Sequence, residues 1–360
     1  MRRRAFLKAG AFAAAGLPLA HPALAQSAPE VRWRLTSSFP RTLDTIFGAA
    51  ELLARHVSEA TDGRFQIEAF GAGELVPGLQ ALDAVSSGSI QCAQTPTYFY
   101  TGKEPALAFG TGIPFGLNQR HQHSWWHFGG GAEIINEALQ KFDAHAIVMG
   151  SSGTQMGGWF RKEIRTVDDL KGLKFRIGGP GGQVLARLGV LPQPIPPVEI
   201  AAALERGALD AAEFVGPYDD ERLGLNKAAR YYYYPGWWEG GAMLHLVINR
   251  KQWQALPKRY QVILQQAGEA ANAWMLARYD RDNPAALKRL IAGGAELRAF
   301  PPTVIDACRK VADELSAEFA QKSPLFRKAL DSHDAFQRDA LSYWRIAEHA
   351  FDTMMIGTVR

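Results

Sequence analysis

The sequence predicts an α/β fold in which largely parallel sheets carry helices on both faces. Strand-like and helix-like patterns alternate along the chain, which is typical of parallel strands joined by crossover helices. The 360 residues suffice for two domains or for one large one. Apolar residues make up 47% of the chain and charged residues 21%, which excludes a disordered or low-complexity body.

The predicted elements of the first half begin with a strand over 31–36, where apolar and polar residues alternate. Apolar residues at helical spacing predict a helix over 42–60, which ends at the turn-forming residues 61–63. The next elements, in order, are a strand over 64–70, a short helix over 79–85, a strand over 90–94, a helical region over 121–141 and a strand over 144–149.

The second half continues the alternation and then becomes helical. From Tyr260 onward we expect helix almost throughout, with breaks near Gly293-Gly294 and Pro301-Pro302. Before that point we expect strands over 157–161, 173–177, 211–215 and 243–249, and helices over 183–188 and 198–206.

Residues 1–25 have the features of a secretory signal peptide. Four basic residues without an acid precede an apolar run over 9–20 and the cleavage motif Ala23-Leu24-Ala25. The motif R-R-x-F-L-K at residues 3–8 resembles a twin-arginine signal, and an ordinary secretory leader is the alternative. We therefore expect a periplasmic protein with no later membrane span.

The net charge of +4 lies entirely in this predicted leader. In the remaining chain 36 acidic residues face as many basic ones, which argues against a basic nucleic-acid-binding protein.

The motif search supports no catalytic activity. The chain contains neither the G-x-S-x-G elbow of serine hydrolases nor an H-E-x-x-H metalloprotease motif. The Gly178–Gly182 turn between a strand and a helix does not match a nucleotide-binding motif, so we expect a tight turn there. Cys92 and Cys308 form no C-x-x-C pair; we expect separate buried thiols, and a disulfide is the alternative.

Three histidines lie close together at positions 121, 123 and 127. His123 and His127 are four positions apart, so they would share a helix face and could bind zinc. The neighbouring sequence supplies no carboxylate or cysteine to complete such a site. We therefore favour an amphipathic helix end.

The densest aromatic segment is Tyr231–Tyr234, followed by Trp237-Trp238. It fits a sheet edge packed into a core, and it also fits a platform on which a sugar stacks. The intervening Pro235-Gly236 predicts a rigid turn that would present Glu239.

Arg176 and Glu213 each stand at the carboxyl end of an apolar strand. Ligands of open α/β sheets bind at this edge, where a guanidinium can hold a carboxylate through two hydrogen bonds. A carboxylate in the apolar setting of Glu213 requires a cation or a metal ion. The two side chains could equally form an ion pair with each other.

Three segments resemble the substrate-binding proteins of tripartite ATP-independent periplasmic (TRAP) transporters. They are Thr-Gln-Met-Gly-Gly-Trp-Phe at 154–160, the block around Leu-Lys-Gly-Leu-Lys at 169–177, and 204–213. Residues 213–221 and 232–241 are similar to the branch that binds 2-oxo acids or lactate with a metal ion.

The resemblance implies an oxygen-only metal site. Its ligands would be the Gln155 side chain, a bidentate Glu213 and the backbone carbonyl of Phe214, where we expect tryptophan in close relatives. Oxygen ligands suit hard cations rather than zinc or copper. Glu213 and a monocarboxylate ligand carry two negative charges and Arg176 carries one positive charge, so Na⁺ would make the cluster neutral. If Glu239 is also ionised nearby, Ca²⁺ would make it neutral.

The resemblance also implies the substrate contacts. Arg176 would clamp the ligand carboxylate, Gln155 and Glu239 would line the site, and the Tyr100 hydroxyl would reach in from the first lobe. The implied function is to bind a small 2-oxo or 2-hydroxy monocarboxylate, such as pyruvate, a longer 2-oxo acid or lactate, and to deliver it to a membrane permease. The alternatives are an exported carboxylate-processing enzyme and a sugar-binding protein.

The implied architecture is a two-lobed periplasmic binding protein (Venus-flytrap) with a long C-terminal helix. Lobe I would comprise residues 26–152 and about 242–280, and lobe II residues 153–241 and about 281–330. The C-terminal helix over 331–360 carries an apolar stripe, and we expect it to support a homodimer.

Overall fold

The structure is a computed structural model that describes residues 29–358. The predicted signal peptide and its cleavage site lie outside the described residues. Along the described range, no helix combines the length and the hydropathy that crossing a membrane requires.

The first part of the chain alternates strands and helices as expected. Its elements are β1 (Val31–Ser37), α1 (Gly48–Ala60), β2 (Phe65–Phe70), α2 (Ala81–Ser86), β3 (Cys92–Thr95), α3 (Ala108–Thr111), α4 (Gln119–Phe128), α5 (Gly131–Gln140) and β4 (Ala144–Ser151).

The middle of the chain contains shorter strands. Its elements are β5 (Trp159–Phe160), β6 (Lys174–Arg176), α6 (Gly179–Arg187), β7 (Leu191–Pro192), α7 (Ile200–Glu205), β8 (Ala211–Ala212), α8 (Pro217–Leu223), β9 (Tyr231–Tyr234) and β10 (Met243–Asn249).

The last part is helical apart from one strand. Its elements are α9 (Arg250–Ala255), α10 (Lys258–Ala292), β11 (Glu296–Ala299), α11 (Pro302–Lys322), α12 (Pro324–Trp344) and α13 (Glu348–Thr358). The sequence predicts breaks near Gly293-Gly294 and Pro301-Pro302 but no strand between them, where β11 lies. It is a strand because it pairs in parallel with β9.

The strands form two mixed sheets. The first has the order β2-β1-β3-β10-β4 and the second the order β11-β9-β5-β8-β6-β7. In the first sheet β10 is antiparallel to both neighbours, and in the second β5 is. Both are the first strands after the chain passes from one sheet to the other. The sheets are therefore less uniformly parallel than the sequence predicts, although the α/β class is confirmed.

Helix α10 connects the two sheets. It packs against α1 and β4 on the side of the first sheet and against α8 on the side of the second. Apolar residues from both sides join one buried cluster along it, including Leu53, Met275 and Tyr232. The assignment of residue ranges to two lobes stays a prediction.

The C-terminal region contains two helices where the sequence predicts one. Helix α12 packs against α4, α5 and α11. The turn before α13 exposes Ile346, and α13 itself exposes Phe351, Met354, Met355 and Ile356. Elsewhere, Cys92 and Cys308 are both buried, free thiols.

Candidate functional site

Two neighbouring strand ends bring Arg176 and Glu213 together. Strands β6 and β8 run parallel with Arg176 opposite Ala212, so the residue after β8 lies beside the end of β6. Arg176 Nη1 donates to the Glu213 carboxylate Oε1 and to the Glu213 backbone carbonyl, each at 2.6 Å. Both side chains are buried. The ion pair that the sequence left open as an alternative is present.

The surroundings of Glu213 are those of a held carboxylate. The backbone N–H of Gly178 donates to the same Oε1 at 2.9 Å. Burial raises the pKa of Glu213, while Arg176 and that N–H act in the opposite direction. Gly158 has a φ of +82°, and a Cβ there would lie 2.6 Å from the carbonyl oxygen of Ala212. A glycine is therefore needed for this close approach to the Glu213 segment.

Gln155 and Glu239 bring unpaired oxygens to the same region. The Gln155 N–H donates to the Glu239 carbonyl at 3.2 Å, and the Gly236 N–H donates to the Gln155 carbonyl at 2.9 Å. Gln155 Nε2 donates to Ser152 Oγ at 3.1 Å. Within the described chain, Gln155 Oε1 and Glu239 Oε2 are buried without a hydrogen-bond partner. Buried acceptors of this kind indicate a missing donor or cation.

The charge on Glu239 is sensitive to this environment. Burial and the neighbouring charge of Glu213 raise the pKa of Glu239 well above its usual range, and the Tyr98 hydroxyl and Arg176 offset part of that effect. Two buried carboxyl groups beside one guanidinium make a site that favours added positive charge.

Arg176, Tyr98 and Phe99 line two cavities at once. One, of about 20 Å³, is also lined by Gln155 and Phe214 and has room for about one water molecule or ion. The other, of about 630 Å³, extends over the turn at Gly178–Gly179 and over a proline-rich segment at 192–198. A small ligand held by Arg176 can therefore reach both a small space beside Gln155 and a wide, largely apolar cavity.

The tyrosine of the site is Tyr98, and this corrects the expectation for Tyr100. The Tyr100 hydroxyl lies 2.8 Å from Thr95 Oγ1 and accepts from the Leu82 N–H at 3.3 Å, inside the core behind the first sheet. Of the described residues, Tyr98 lines both cavities and Tyr100 lines neither. Burial, followed by the charges of Glu239 and Glu213, raises the pKa of Tyr98 well above its usual range. The sequence Tyr98-Phe99-Tyr100 carries no signal for choosing between the two.

Phe214 contributes its ring to the site. The Arg176 guanidinium carbon lies 5.6 Å from the centre of this ring, within the range of a cation–π contact. A tryptophan at this position would preserve that contact and narrow the enclosed cavity.

The aromatic run is part of a core and not a sugar platform. Tyr232, Tyr233, Trp237 and Trp238 are all buried. Tyr233 and Trp238 pack on Phe300, so the stacking faces that a sugar would need are covered.

A family model and several known proteins are similar to this chain. The family described as bacterial extracellular solute-binding protein, family 7, matches residues 36–323. The chain is similar to a monocarboxylate 2-oxoacid-binding periplasmic protein of Nostoc sp. (strain PCC 7120), with 47% identity over 98% of each chain.

Three solved TRAP solute-binding proteins are similar in structure. One from Bordetella bronchiseptica, a mixed-occupancy dimer with calcium and picolinate, has a TM-score of 0.90 and 48% identity over 91% of this chain and 98% of that chain. One from Colwellia psychrerythraea, with bound calcium and pyruvate, has a TM-score of 0.87 and 35% identity over 89% of this chain and 98% of that chain. One from Pseudoalteromonas atlantica, with bound sodium and pyruvate, has a TM-score of 0.87 and 37% identity over 92% of this chain and 100% of that chain. These scores confirm the predicted fold class.

Proposed function

The chain belongs to family 7 of the bacterial extracellular solute-binding proteins, and from that premise we propose that it binds a small 2-oxo or 2-hydroxy monocarboxylate with Na⁺ or Ca²⁺. It does so in the periplasm and delivers the acid to the membrane permease subunits of a TRAP transporter. The family binds solutes for transport, so the protein is not an enzyme and the carboxylate-processing alternative falls.

The observation that carries the proposal is the free edge of the Arg176 guanidinium. Nη1 is held by Glu213 and Nε donates to the Ile195 carbonyl at 3.3 Å. Across residues 29–358, no acceptor contacts Nη2, although Arg176 lines both cavities. A ligand carboxylate would bind here, taking Nη2 and sharing or displacing Glu213 at Nη1.

The donor set fits a hard cation. Gln155 Oε1, the Glu213 carboxylate and the Phe214 carbonyl would hold it, with Glu239 Oε2 as the further unpaired oxygen nearby. The ion would supply the positive charge that lets the ligand carboxylate lie close to Glu213. Similar proteins were crystallised with calcium or with sodium beside pyruvate or picolinate, which supports either ion.

The wide cavity supports a monocarboxylate. Of the described residues that line it, Arg176 is the one cation, and Glu199 is the one acid. A second carboxylate on the ligand would meet no second cation there. Leu79, Phe99 and Val198 offer apolar contacts to an aliphatic or aromatic tail, so 2-oxo acids longer than pyruvate also fit.

The test is a binding panel on protein stripped of sodium and calcium. Pyruvate, longer 2-oxo acids and lactate should raise the midpoint of thermal unfolding only after Na⁺ or Ca²⁺ is added. Propionate, which lacks the second chelating oxygen, and 2-oxoglutarate, which has a second carboxylate, should bind far more weakly. Equal binding of propionate and pyruvate, or binding that ignores both ions, would contradict the proposal.

The homodimer is also a proposal. The exposed apolar residues of α13 offer a surface that a second copy would cover. The Bordetella bronchiseptica protein, at 48% identity, was crystallised as a dimer, which supports the same state here.

A further inference from the structure

A second cluster of metal-ligating side chains lies between α4 and α10, and none of its members lines either cavity beside Arg176, the region called the cleft below. His123 and His127 occupy one face of α4, and Glu269 faces them from α10. Nε2 of His123 lies 3.3 Å from Glu269 Oε2, and Nε2 of His127 lies 2.9 Å from Glu269 Oε1. The sequence showed only the two histidines, because Glu269 is distant along the chain.

We propose that His123, His127 and Glu269 form a second metal site, which binds Zn²⁺ or a similar divalent transition ion. Two imidazoles and one carboxylate are a common zinc ligand set with an open fourth position. Zinc bonds of about 2.0–2.1 Å at tetrahedral angles place ligand atoms about 3.3 Å apart. The three ligand atoms here lie within 4.8 Å of one another, so small side-chain rotations complete the arrangement.

The exposure of the cluster leaves space for the fourth ligand. The side chains of His123, His127 and Glu269 are 31%, 35% and 32% exposed, so each is anchored on one side and reached by solvent on the other. A water molecule can therefore occupy the remaining position.

Asn272 provides an independent observation beside the histidine pair. It is buried one turn after Glu269, and its Nδ2 lies 3.1 Å from Nδ1 of His123. Its Oδ1 is buried and, within residues 29–358, without a partner. Rotating the amide by 180° brings Oδ1 of Asn272 to Nδ1 of His123. There Oδ1 would accept a hydrogen bond from Nδ1–H, which leaves Nε2 unprotonated and free to bind a metal ion.

The ligand chemistry separates this site from the cleft. Imidazole nitrogens select borderline transition ions, whereas the oxygen ligands around Glu213 select Na⁺ or Ca²⁺. A bound ion would tie α4 to the long helix α10 and so raise the stability of their contact.

The experiment uses the exported protein, purified without a polyhistidine tag and stripped of metal. Zn²⁺ is titrated in competition with a chromophoric indicator, in the presence of excess Ca²⁺. We expect one tight equivalent and a raised midpoint of thermal unfolding.

Three variants locate the ion. His127→Gln can still donate to Glu269 but lacks the imidazole, so Zn²⁺ affinity should fall more than about tenfold with the fold retained by circular dichroism. His349→Gln removes an exposed histidine outside the cluster and should bind like the wild type. Glu213→Gln alters the cleft and should also keep its zinc. The proposal is overturned if the wild type takes up no zinc, if His127→Gln keeps full affinity, or if Glu213→Gln loses the ion.

Discussion

Replacing Arg176 with lysine separates ligand binding from structural pairing at the centre of the cleft. Lysine keeps the positive charge that the buried Glu213 requires, and its ammonium can replace Nη1, which donates to the Glu213 carboxylate and carbonyl at 2.6 Å. It cannot replace Nη2 at the same time, because an ammonium is a single point of charge rather than a planar fork.

The expected loss follows from the bonds that remain. With lysine, the ligand carboxylate and Glu213 compete for one ammonium, so at least one charge-assisted hydrogen bond to the ligand is lost. Such a bond contributes about 1.5–3 kcal/mol. The dissociation constant should therefore rise about 10- to 150-fold for each 2-oxo acid that the wild type binds.

The assay is titration calorimetry at fixed Na⁺ or Ca²⁺ concentration, with thermal unfolding measured on the same samples. Arg187→Lys is the matched control, because Arg187 pairs with Glu318 at the exposed surface and should bind like the wild type. Wild-type affinity of Arg176→Lys for every ligand, with a lowered unfolding midpoint, would refute the clamp and leave Arg176 a purely structural partner of Glu213.

Three further predictions concern the metal ion, the pH dependence and the oligomeric state. Glu213→Gln can keep the hydrogen bonds from Arg176 and Gly178 but loses its charge. Calorimetry should therefore find the affinities for the metal ion and for the acid lowered together, by about 2 kcal/mol or more. Acid binding that depends on the metal ion as in the wild type would contradict this. Burial raises the pKa of Asp219 and of Asp220 to about 7 from 3.8, so the stability they contribute is full below about pH 4 and is lost as the pH rises through 7, by at most roughly 4 kcal/mol each. Asp219→Asn can still accept a hydrogen bond from the Tyr279 hydroxyl. The free energy of unfolding, measured with urea between pH 5 and 8, should therefore fall less steeply with pH in this variant than in the wild type. An identical pH dependence would place the titration at another group. Light scattering at micromolar concentration should give twice the chain mass for the wild type and the monomer mass for Phe351→Asp, whereas a monomeric wild type would rule the dimer out.

Much of the cleft could be predicted from the sequence because it depends on local patterns. Apolar runs predict β6 and the strand that contains β8, and parallel strands end at the same edge of a sheet. These two facts place Arg176 and Glu213 at the same edge of a sheet, but the sequence left their pairing open. The structure decided it, because β6 and β8 are neighbouring strands. The Gln155 and Glu239 segments were placed by resemblance, and the structure brings their backbones together at 3.2 Å.

The predictions of secondary structure that were wrong concern elements whose structure depends on distant partners rather than on their own sequence pattern. Strand β11 has two charged residues in four and is partly exposed, so it lacks the apolar signature of a strand and depends on β9 for its hydrogen bonds. The predicted terminal helix is divided, with a turn at 345–347 between α12 and α13. The reversed directions of β5 and β10 depend on how each strand is placed among its neighbours, and no local pattern encodes that placement.

The sequence by itself determined the α/β class, the strand ends that carry Arg176 and Glu213, and the shared face of His123 and His127. Each of these depends on residues a few positions apart, whose spacing the helix or strand period converts directly into a common face or edge. Only the tertiary structure decided that Tyr98 rather than Tyr100 enters the cleft and that Glu269 meets the two histidines. The reason is physical: a tyrosine two positions away has the same local signature, and contacts between distant segments are set by how helices and sheets pack, to within ångströms.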